Sequence, residues 1–242
     1  MLITGGSGLL GEELKKVFPK AFFPGRSDFD VTNIDQMEKY IRQGPQSSIF
    51  PKDEAPTLIH AAAFTSPPKV EKNPEEALSV NIAGTVNVVR LCMRYNIKLV
   101  YICTDYVFSG RQGTYREEDE MYPPNKYAWS KLGGECAVRL HNNSLIIRTS
   151  FGGDTFPFAK AYTDQWTSRI TAAEFSKNLL SIVEKGTVGV LHIGQPRLSV
   201  YEWAKKISPD KDIGKLSRDE VDFPIPRDTS LDISKMERIL NE

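Results

Sequence analysis

Short apolar runs alternate along the chain with longer segments in which apolar residues recur at helical spacing. An uninterrupted apolar run predicts a strand that is buried on both faces, as in parallel sheets. The alternation therefore predicts an α/β protein with a doubly wound parallel sheet. Strands are predicted at residues 1–4, 20–24, 57–63, 98–103, 144–148 and 189–193. Helices are predicted at residues 12–18, 35–43, 74–95, 125–140, 172–184, 200–207 and 234–240.

Three stretches lack this periodicity. Residues 46–56 are a predicted loop, charged and rich in Pro and Ser, and residues 151–169 are irregular and aromatic. Residues 208–227 are polar and carry several prolines. The pattern is therefore regular up to about residue 150 and thinner beyond it, which predicts one α/β domain with a small added lobe.

The most informative local pattern is MLITGGSGLLG at residues 1–11. It places a glycine turn between a predicted strand and a predicted helix, the context that a dinucleotide-binding fingerprint requires. An early glycine permits the tight turn, a middle one lets the backbone approach a pyrophosphate, and Gly11 allows close packing of the helix. Free N–H groups at the helix start would face the anion. The alternative is a glycine-rich turn without a ligand; the context favours a Rossmann sheet that binds a dinucleotide.

Composition narrows the classes of function. The 242 residues are 40% hydrophobic and 26% charged with a formal net charge of zero, so nothing indicates a charge-driven partner such as nucleic acid or a membrane surface. No apolar run approaches the length of a membrane span, and no basic leader precedes the first strand. Three distant cysteines and three histidines without ligand spacing predict reduced thiols, no metal site and a cytoplasmic protein.

The segment after the second predicted strand bears on the choice of cofactor. Arg26 and Ser27 come first there, and the acidic residues follow later. In this fold an acid at this position binds the ribose 2′-OH of NAD, whereas an Arg accommodates the 2′-phosphate of NADP. The order predicts NADP(H), with NAD(H) as the alternative, unless Arg26 is only a solvated loop residue. Asp30 belongs either to an Asx turn or to the adenine side of the site.

A candidate proton-transfer group follows the central strand. Thr104 comes directly after that strand, and Tyr127 and Lys131 are four residues apart, so they share one face of a helix. A nearby ammonium can depress the pKa of a tyrosine, and the tyrosine can then protonate a carbonyl oxygen while a nicotinamide delivers hydride. An exposed helical pair is the alternative, but the glycine turn and Thr104 favour catalysis.

These motifs together resemble the extended short-chain dehydrogenases/reductases, in particular the dTDP-4-dehydrorhamnose reductases and their sugar-nucleotide-binding relatives. The T-D-Y-V-F and Y-x-x-x-K-x-x-G-E stretches are quite specific to that subgroup. The matching stretches are LITGGSGLLG (2–11), GRSDFDVTN (25–33), HAAAFTSPPKVEKNPEEALSVN (60–81), CTDYVFSG (103–110), YREEDEMYPPNKYAWSKLGGE (115–135) and RTS (148–150), with weaker similarity at 164–176, 190–194 and 226–235.

The resemblance implies that Thr104, Tyr127 and Lys131 are catalytic, with Asp105 beside them near the sugar. It also implies a division into an NAD(P)-binding Rossmann domain (1–150) and a reduced substrate-binding lobe (151–242) intertwined with it. The implied cofactor contacts are Gly5, Ser7, Gly8, Leu9, Leu10, Gly11, Arg26, Asp30, Val31, Ala61, Ala62, Ala63, Tyr127 and Lys131.

Three departures from the family pattern concern the substrate. Cys103 replaces the usual Ser before the catalytic Thr, Phe151 stands where Trp is common, and the stretch 151–164 is much shorter than usual. Cofactor binding is expected to survive these changes, and Lys160, Arg169 and Arg197 are the nearest basic candidates for a nucleotide–sugar pocket. A second copy of the chain or a partner subunit is the expected way to complete a shortened pocket.

The leading hypothesis is an NADPH-dependent reductase of a nucleotide-linked 4-keto-6-deoxy sugar. A sugar-nucleotide epimerase or dehydratase is the alternative among enzymes, although dehydratases of this superfamily usually follow the catalytic Thr with Asp-Glu rather than Asp105-Tyr106. A non-catalytic NADP-binding subunit, similar to the regulatory beta subunit of methionine adenosyltransferase, is the alternative from another class.

Overall fold

Apolar runs become strands in the computed structural model, which describes residues 1–43, 56–221 and 224–242. The strands are β1 (Leu2–Thr4), β2 (Thr57–His60), β3 (Lys98–Ile102), β4 (Ser144–Thr149), β5 (Phe151–Gly152), β6 (Lys160–Tyr162), β7 (Trp166–Thr167), β8 (Ile170–Thr171), β9 (Gly189–Ile193), β10 (Leu198–Ser199) and β11 (Gly214–Leu216). Residues of β3 and β4 are all buried, as expected for strands covered on both faces.

The helices form two groups. In one, α7 contacts both α1 and α9; in the other, α5 contacts α2 and α6 and packs on β2 and β3. The helices are α1 (Leu9–Val17), α2 (Ile34–Gln43), α3 (Pro67–Lys72), α4 (Pro74–Ala77), α5 (Thr85–Arg94), α6 (Lys126–Val138), α7 (Ala172–Glu184), α8 (Val200–Ile207) and α9 (Ser234–Asn241). Helices α7 and α8 each begin with a complete capping box.

The central sheet has five parallel strands in the order β1-β2-β3-β4-β9. Phe22 forms an isolated parallel bridge with Leu2 on the outer side of β1. The Phe22 segment thus lies on one side of β1, and β2, β3, β4 and β9 lie on the other. The strand order reverses at β1, and a crevice lies beside β1 and β2 at this point. Open α/β sheets bind ligands in such a crevice, outside the carboxyl ends of the strands. The predicted doubly wound α/β fold is confirmed.

Beyond residue 151 the chain contributes both to this sheet and to a second, small core. Strand β9 pairs with β4, and α7 packs on α1. The small core is built around Trp203, with α8 contacting β6. Its buried residues are Phe156, Ala161, Val200, Trp203, Ala204 and Ile213. No helix among residues 1–43, 56–221 and 224–242 is both long and apolar enough to cross a membrane.

Two predicted elements differ from the structure. The strand predicted at 20–24 is reduced to the Phe22 bridge, where Ile3 N donates to Phe22 O at 2.8 Å and Phe22 N to Met1 O at 3.1 Å. Pro24 has no N–H to extend the ladder, and the chain turns at Gly25.

The helix predicted at 74–95 is interrupted. A π-helical segment, Leu78–Gly84, separates α4 from α5, and α3 precedes them unpredicted. Asn73 occupies the N-cap position of α4 but makes no side-chain capping bond. Residues 44–55, which include most of the predicted loop 46–56, lie outside the described residues.

Candidate active site

A cavity of about 850 Å³ lies at the carboxyl ends of β1, β2, β3 and β4. Each strand contributes the residues that immediately follow it, as the topology dictates. All residues predicted for catalysis and cofactor binding line this one cavity: Gly5, Ser7, Gly8, Leu9, Leu10, Gly11, Arg26, Asp30, Val31, Ala61, Ala62, Ala63, Thr104, Asp105, Tyr127 and Lys131. The structure thus brings the predicted set together, and the individual roles remain predictions.

The glycine turn has requirements of its own at two positions. Gly5 has a φ of +79°, and a Cβ there would lie 2.8 Å from the Ala61 carbonyl carbon. A Cβ on Gly11 would lie 2.3 Å from Gly5 O, so the helix approaches the turn rather than the strand. A Cβ on Gly8 would meet only Gly5 O, at an ordinary 3.5 Å. Space therefore remains at Gly8, where a ligand can approach the backbone.

The start of α1 fits an anion. Gly8 is its N-cap residue and offers no side chain to satisfy the first N–H groups. These donors and the helix dipole favour a negative group at this end of the cavity. A second unsatisfied group lies at the end of β4, where the buried Thr149 hydroxyl lines the cavity without a hydrogen bond to the described residues. The glycine turn, the uncapped helix and the cavity volume fit a pyrophosphate-bearing dinucleotide.

The segment after the Phe22 bridge holds an exposed arginine in a defined position. The Arg26 side chain is 75% exposed, and its Nε donates to Asp30 Oδ2 at 2.9 Å. Asp30 Oδ1 accepts from Thr32 N at 2.9 Å, so Asp30 forms an Asx turn. Asp30 is thus the turn residue and also lines the cavity, and its place beside the adenine stays a prediction.

The loop after β2 is fixed by Asn81, which the π-helical segment carries. Asn81 Oδ1 accepts from Phe64 N at 2.8 Å, and its Nδ2 donates to Phe64 O at 2.9 Å. The same Nδ2 donates to Ser130 Oγ at 2.8 Å, between Tyr127 and Lys131. A wide helical turn of this kind often occurs at functional sites. Here it joins the loop beside the glycine turn to the helix that carries the predicted catalytic pair.

Thr104 is hydrogen-bonded both to Asp105 and to Tyr127. Thr104 caps a 3₁₀ turn (Asp105–Val107), and its Oγ1 accepts from Tyr106 N at 3.2 Å. The same hydroxyl donates to Asp105 Oδ1 at 3.2 Å and is hydrogen-bonded to Tyr127. Since its one proton goes to Asp105, Thr104 accepts the proton of the Tyr127 phenol.

The pKa of Tyr127 differs from the sequence-based expectation. Burial raises this pKa, and the neighbouring Cys103 and Asp105 raise it further. The predicted depression by Lys131 is therefore wrong for the chain as the structure shows it, because desolvation of the phenolate dominates. A tyrosine with a raised pKa is protonated at neutral pH, which suits a proton donor.

Lys131 is buried, and its ammonium forms no salt bridge within the part of the chain that the structure describes. Its Nζ lies 4.3 Å from the centre of the Tyr101 ring. Burial lowers the pKa of Lys131 to about 8, although Cys103 and Glu135 act in the opposite direction. Burial, together with the charge of Lys131, also lowers the pKa of His60 to about 3. At neutral pH Lys131 is thus mostly charged, and His60 is neutral.

The side of the cavity away from the glycine turn has few residues from the carboxyl-terminal part. Among the described residues beyond Ser150, only Phe151 and Arg169 line it. Arg169 Nε donates to Ser150 Oγ at 3.0 Å. Lys160 and Arg197 do not line the cavity, and Arg197 instead pairs with Asp228 at 2.7 Å. Of the three predicted basic candidates, the structure thus places only Arg169 at the site.

Sequence reasoning assigned no role to Tyr106, Phe64 and Thr149, which also line the cavity. Tyr106 follows Asp105 directly and its hydroxyl accepts from Gln165 Nε2 at 2.8 Å. Its place in the T-D-Y-V-F stretch could have assigned Tyr106 to the site. Thr149 ends a buried strand at the edge of the sheet where the site lies, which is weaker evidence for a role in the site. For Phe64, whose backbone is fixed from a distance by Asn81, the sequence gives no signal.

The sheet topology and this cavity define a Rossmann-type α/β protein with its candidate site at the point of strand reversal. The chain belongs to the RmlD substrate binding domain family, because the model of that family matches residues 1–156, more than half of the chain. Membership of this family confirms the resemblance on which the sequence predictions rested.

Two curated relatives span nearly the whole chain. The dTDP-4-dehydrorhamnose reductase of Aggregatibacter actinomycetemcomitans is 28% identical, with 98% of this chain and 92% of the relative aligned. Methionine adenosyltransferase 2 subunit beta of Pongo abelii is 27% identical over 99% of this chain and 82% of its own length. The first alignment runs over 279 positions for a chain of 242 residues, so that relative carries insertions that this chain lacks.

A solved structure agrees with both fold and family. The dTDP-4-dehydrorhamnose reductase of Bacillus anthracis, in complex with NADP, superposes with a TM-score of 0.86. It is 27% identical, and the match covers 98% of this chain and 91% of the other. The whole chain, including the short carboxyl-terminal part, therefore follows the path of a full-length relative.

Proposed function

We propose that the protein is an NADPH-dependent reductase of a nucleotide-linked 4-keto-6-deoxy sugar. The observation that carries this proposal is the single cavity shared by an uncapped, glycine-led helix start and the hydrogen-bonded group of Thr104 and Tyr127 with Lys131 one turn away. The names of the relatives, dTDP-4-dehydrorhamnose reductase, and the NADP complex of one of them support the substrate and cofactor.

The proposed roles follow from the contacts. The turn Gly5–Gly11 holds the pyrophosphate, Arg26 and Asp30 lie at the adenosine ribose, and Ala61–Ala63 leave room beside the turn. When bound, NADPH supplies a hydride to the carbonyl carbon of the substrate. Tyr127 gives its phenolic proton to the carbonyl oxygen, and Thr104 orients the phenol. The ammonium of Lys131 stabilises the phenolate that remains.

The proposed division of labour places cofactor binding in residues 1–150 and substrate binding in a lobe formed by residues 151–242. Strand β9 and helix α7 belong to the sheet layers, so the lobe and the Rossmann domain are interwoven. Cys92, Cys103 and Cys136 are free thiols, which suits a reducing compartment such as the cytoplasm.

Replacement of Arg26 by Ala is expected to weaken NADPH binding roughly tenfold or more and to leave NADH binding nearly unchanged. The reason is the loss of a charge-assisted bond to the 2′-phosphate, which NADH lacks. Titration of both cofactors measures the effect. Arg116→Ala is the matched control, since Arg116 is also exposed and also pairs with an Asp, but lies outside the cavity. Equal losses for the two cofactors would contradict the role of Arg26.

The isolated monomer is expected to bind dTDP at least tenfold more weakly than NADPH. Among the described residues beyond Ser150, only Phe151 and Arg169 line the cavity, and ligands of this size normally bury most of their surface. A second copy of the chain or a partner subunit would then complete the sugar-nucleotide pocket. Calorimetry on protein shown to be monomeric by light scattering measures both affinities. Equally tight dTDP binding would show that the short lobe suffices.

A non-catalytic NADP-binding subunit is the second candidate, favoured by the match to methionine adenosyltransferase 2 subunit beta over nearly the whole chain. The experiment that separates the two is NADPH oxidation with a dTDP-4-keto-6-deoxy sugar as substrate. Turnover that depends on the sugar supports the reductase. NADPH binding without turnover, in protein whose dTDP affinity has been measured, supports the subunit.

A further inference from the structure

The carboxyl-terminal segment 226–232 reaches the proposed reductase site through one side chain. Asp105 is 2% exposed and is held from two directions. Its Oδ1 accepts from Thr104 Oγ1 at 3.2 Å, and its Oδ2 accepts from Thr229 Oγ1 at 2.7 Å. Thr229 is itself fully buried and lies 124 residues away in sequence. This contact is the shorter of the two and comes from a segment to which the proposed mechanism gives no role.

Backbone hydrogen bonds hold the segment in place independently of that side chain. On one side, Asp228 N donates to Gly110 O at 2.9 Å and Tyr115 N to Ser230 O at 2.9 Å. On the other side, Thr229 N donates to Trp166 O at 3.0 Å. The segment thus joins the loop after β3 to the chain around β7. Loss of the Thr229 hydroxyl alone would leave these bonds intact.

The hydroxyl protons of this group have fixed directions. An ionised Asp105 only accepts, so Thr104 must donate to Oδ1 and Thr229 to Oδ2. The Thr104 oxygen then has lone pairs for Tyr106 N and for the phenol of Tyr127. If the carboxylate rotated or became protonated, Thr104 could turn its proton towards Tyr127 instead. The orientation of Asp105 therefore determines how Thr104 presents itself to the proton donor.

Other charged and titratable groups act on the same carboxyl. Burial raises the pKa of Asp105 to about 6, against which the Thr229 hydrogen bond, the charge of Arg169 and the Thr104 hydrogen bond act. Tyr106 and Tyr127 also face it, from the 3₁₀ turn and from α6. Among these groups, the Thr229 hydroxyl is the largest influence that keeps Asp105 ionised near neutral pH.

We infer that Thr229 is a positioning residue of the active site, which holds the Asp105 carboxylate so that it fixes the Thr104 hydroxyl against Tyr127. The catalytic part of this inference rests on the proposed reductase function. The link between Thr229 and Asp105 does not, and it can be measured without substrate.

The test compares Thr229→Val, which replaces the hydroxyl by a methyl group of similar size, with Thr229→Ser, which keeps the donor. Thr167→Val is the matched control, because Thr167 is also buried but its hydroxyl makes no hydrogen bond to the described residues. The first readout is the titration of the Asp105 carboxyl, which is monitored by carbon-13 NMR. The variant Asp105→Asn identifies the carboxyl signal. The second is the pH profile of kcat/KM with NADPH and the keto sugar.

Thr229→Val is expected to raise the titration midpoint of Asp105 by about one pH unit, the size of effect of one hydrogen bond to a charged group. The acid limb of the pH profile of kcat/KM moves upward by the same amount, because the ionised form of Asp105 is the one that fixes Thr104. The value of kcat at pH 5, well below both midpoints, falls roughly tenfold because the ionised fraction of Asp105 falls by that factor, while the Kd of NADPH is unchanged. Thr229→Ser and Thr167→Val stay close to the wild type in all three measurements.

A double variant separates positioning from general structural support. In the Asp105→Asn background, Thr229→Val is expected to lower kcat by less than about twofold, because the group through which it acts is already changed. If Thr229→Val does not fold, Thr229→Ala provides the same comparison in a smaller side chain.

An unchanged Asp105 midpoint in the folded variant, or fully multiplicative losses in the double variant, would overturn the inference. Absence of sugar-dependent turnover in the wild type would instead contradict the proposed function, and the NMR titration would still decide whether Thr229 controls Asp105.

Discussion

Replacement of Tyr127 by Phe is expected to lower kcat roughly 100-fold or more, the usual loss for a positioned general acid. The phenol is hydrogen-bonded to Thr104 and its raised pKa keeps it protonated at neutral pH, so a proton is available for the proposed transfer to the carbonyl oxygen. Phe keeps the ring and removes the hydroxyl that carries the proton. The Kd of NADPH, measured by fluorescence titration, should therefore change little while turnover collapses.

Tyr122→Phe is the matched control, since Tyr122 is an exposed tyrosine outside the cavity that packs against Trp129. Lys131→Met should reduce both turnover and NADPH affinity, because Lys131 follows Tyr127 by one turn of α6 and lines the same cavity, where it is proposed to contact the cofactor. Since burial lowers the pKa of Lys131 to about 8, turnover of the wild type should also decline above that pH as the ammonium loses its charge. A Tyr127→Phe variant with wild-type turnover would remove the mechanism.

Replacement of Glu135 by Leu is expected to cost about 3–5 kcal/mol of unfolding free energy, a large part of the usual stability of a domain. Glu135 and Arg148 are both fully buried and paired in two places, Nη2–Oε1 at 2.7 Å and Nε–Oε2 at 3.2 Å. Removal of the carboxylate leaves a buried guanidinium whose remaining hydrogen-bond partners, among the described residues, are the Glu117 carbonyl and the Met121 sulfur. Urea unfolding monitored by circular dichroism measures the loss.

The double variant Glu135→Leu/Arg148→Met should recover most of the loss, because a matched apolar pair needs no charge compensation. Glu12→Gln, at an exposed pair with Lys15, is the control and should stay within about 0.5 kcal/mol. If Glu135→Leu changes the unfolding free energy as little as Glu12→Gln does, the buried pair does not hold α6 against β4 as the structure indicates.

The same pair determines a dependence on pH. Burial would raise the pKa of Glu135, but the bonds and charge of Arg148, with help from Arg139 and Cys103, hold it below its usual value. A carboxyl with a lowered pKa in the folded state contributes stability above its unfolded pKa of about 4.3 and loses it as the pH falls further. The Glu135→Leu/Arg148→Met variant should therefore lose less stability than the wild type below about pH 4.

The sequence predicted well those elements whose signals are local. Helix α7 and strand β9 have the predicted bounds, because a capping box, apolar periodicity and an apolar run mark them without help from the rest of the chain. The glycine turn, Thr104 and the Tyr127–Lys131 spacing are local as well, and the parallel topology brings them to one edge. The candidate site was therefore predictable as a set of residues.

Features that depend on distant partners were not predictable. The π-helical segment exists where Asn81 bonds Phe64 and Ser130, which are 17 and 49 residues away. The raised pKa of Tyr127 depends on burial by several elements, a quantity that the i, i+4 spacing does not contain. Thr229 reaches Asp105 only because the segment 226–232 is held between two loops.

The central claim is that NADPH bound in this cavity transfers a hydride to a nucleotide-linked keto sugar, while Tyr127 supplies the proton. The most direct measurement uses NADPH deuterated at the transferring position of C4, a dTDP-4-keto-6-deoxy sugar and the purified protein, with NMR of the sugar product. We predict deuterium on carbon 4 of a reduced sugar, and roughly 100-fold slower formation of that product by Tyr127→Phe. Tight NADPH binding without any deuterated sugar product would contradict the claim.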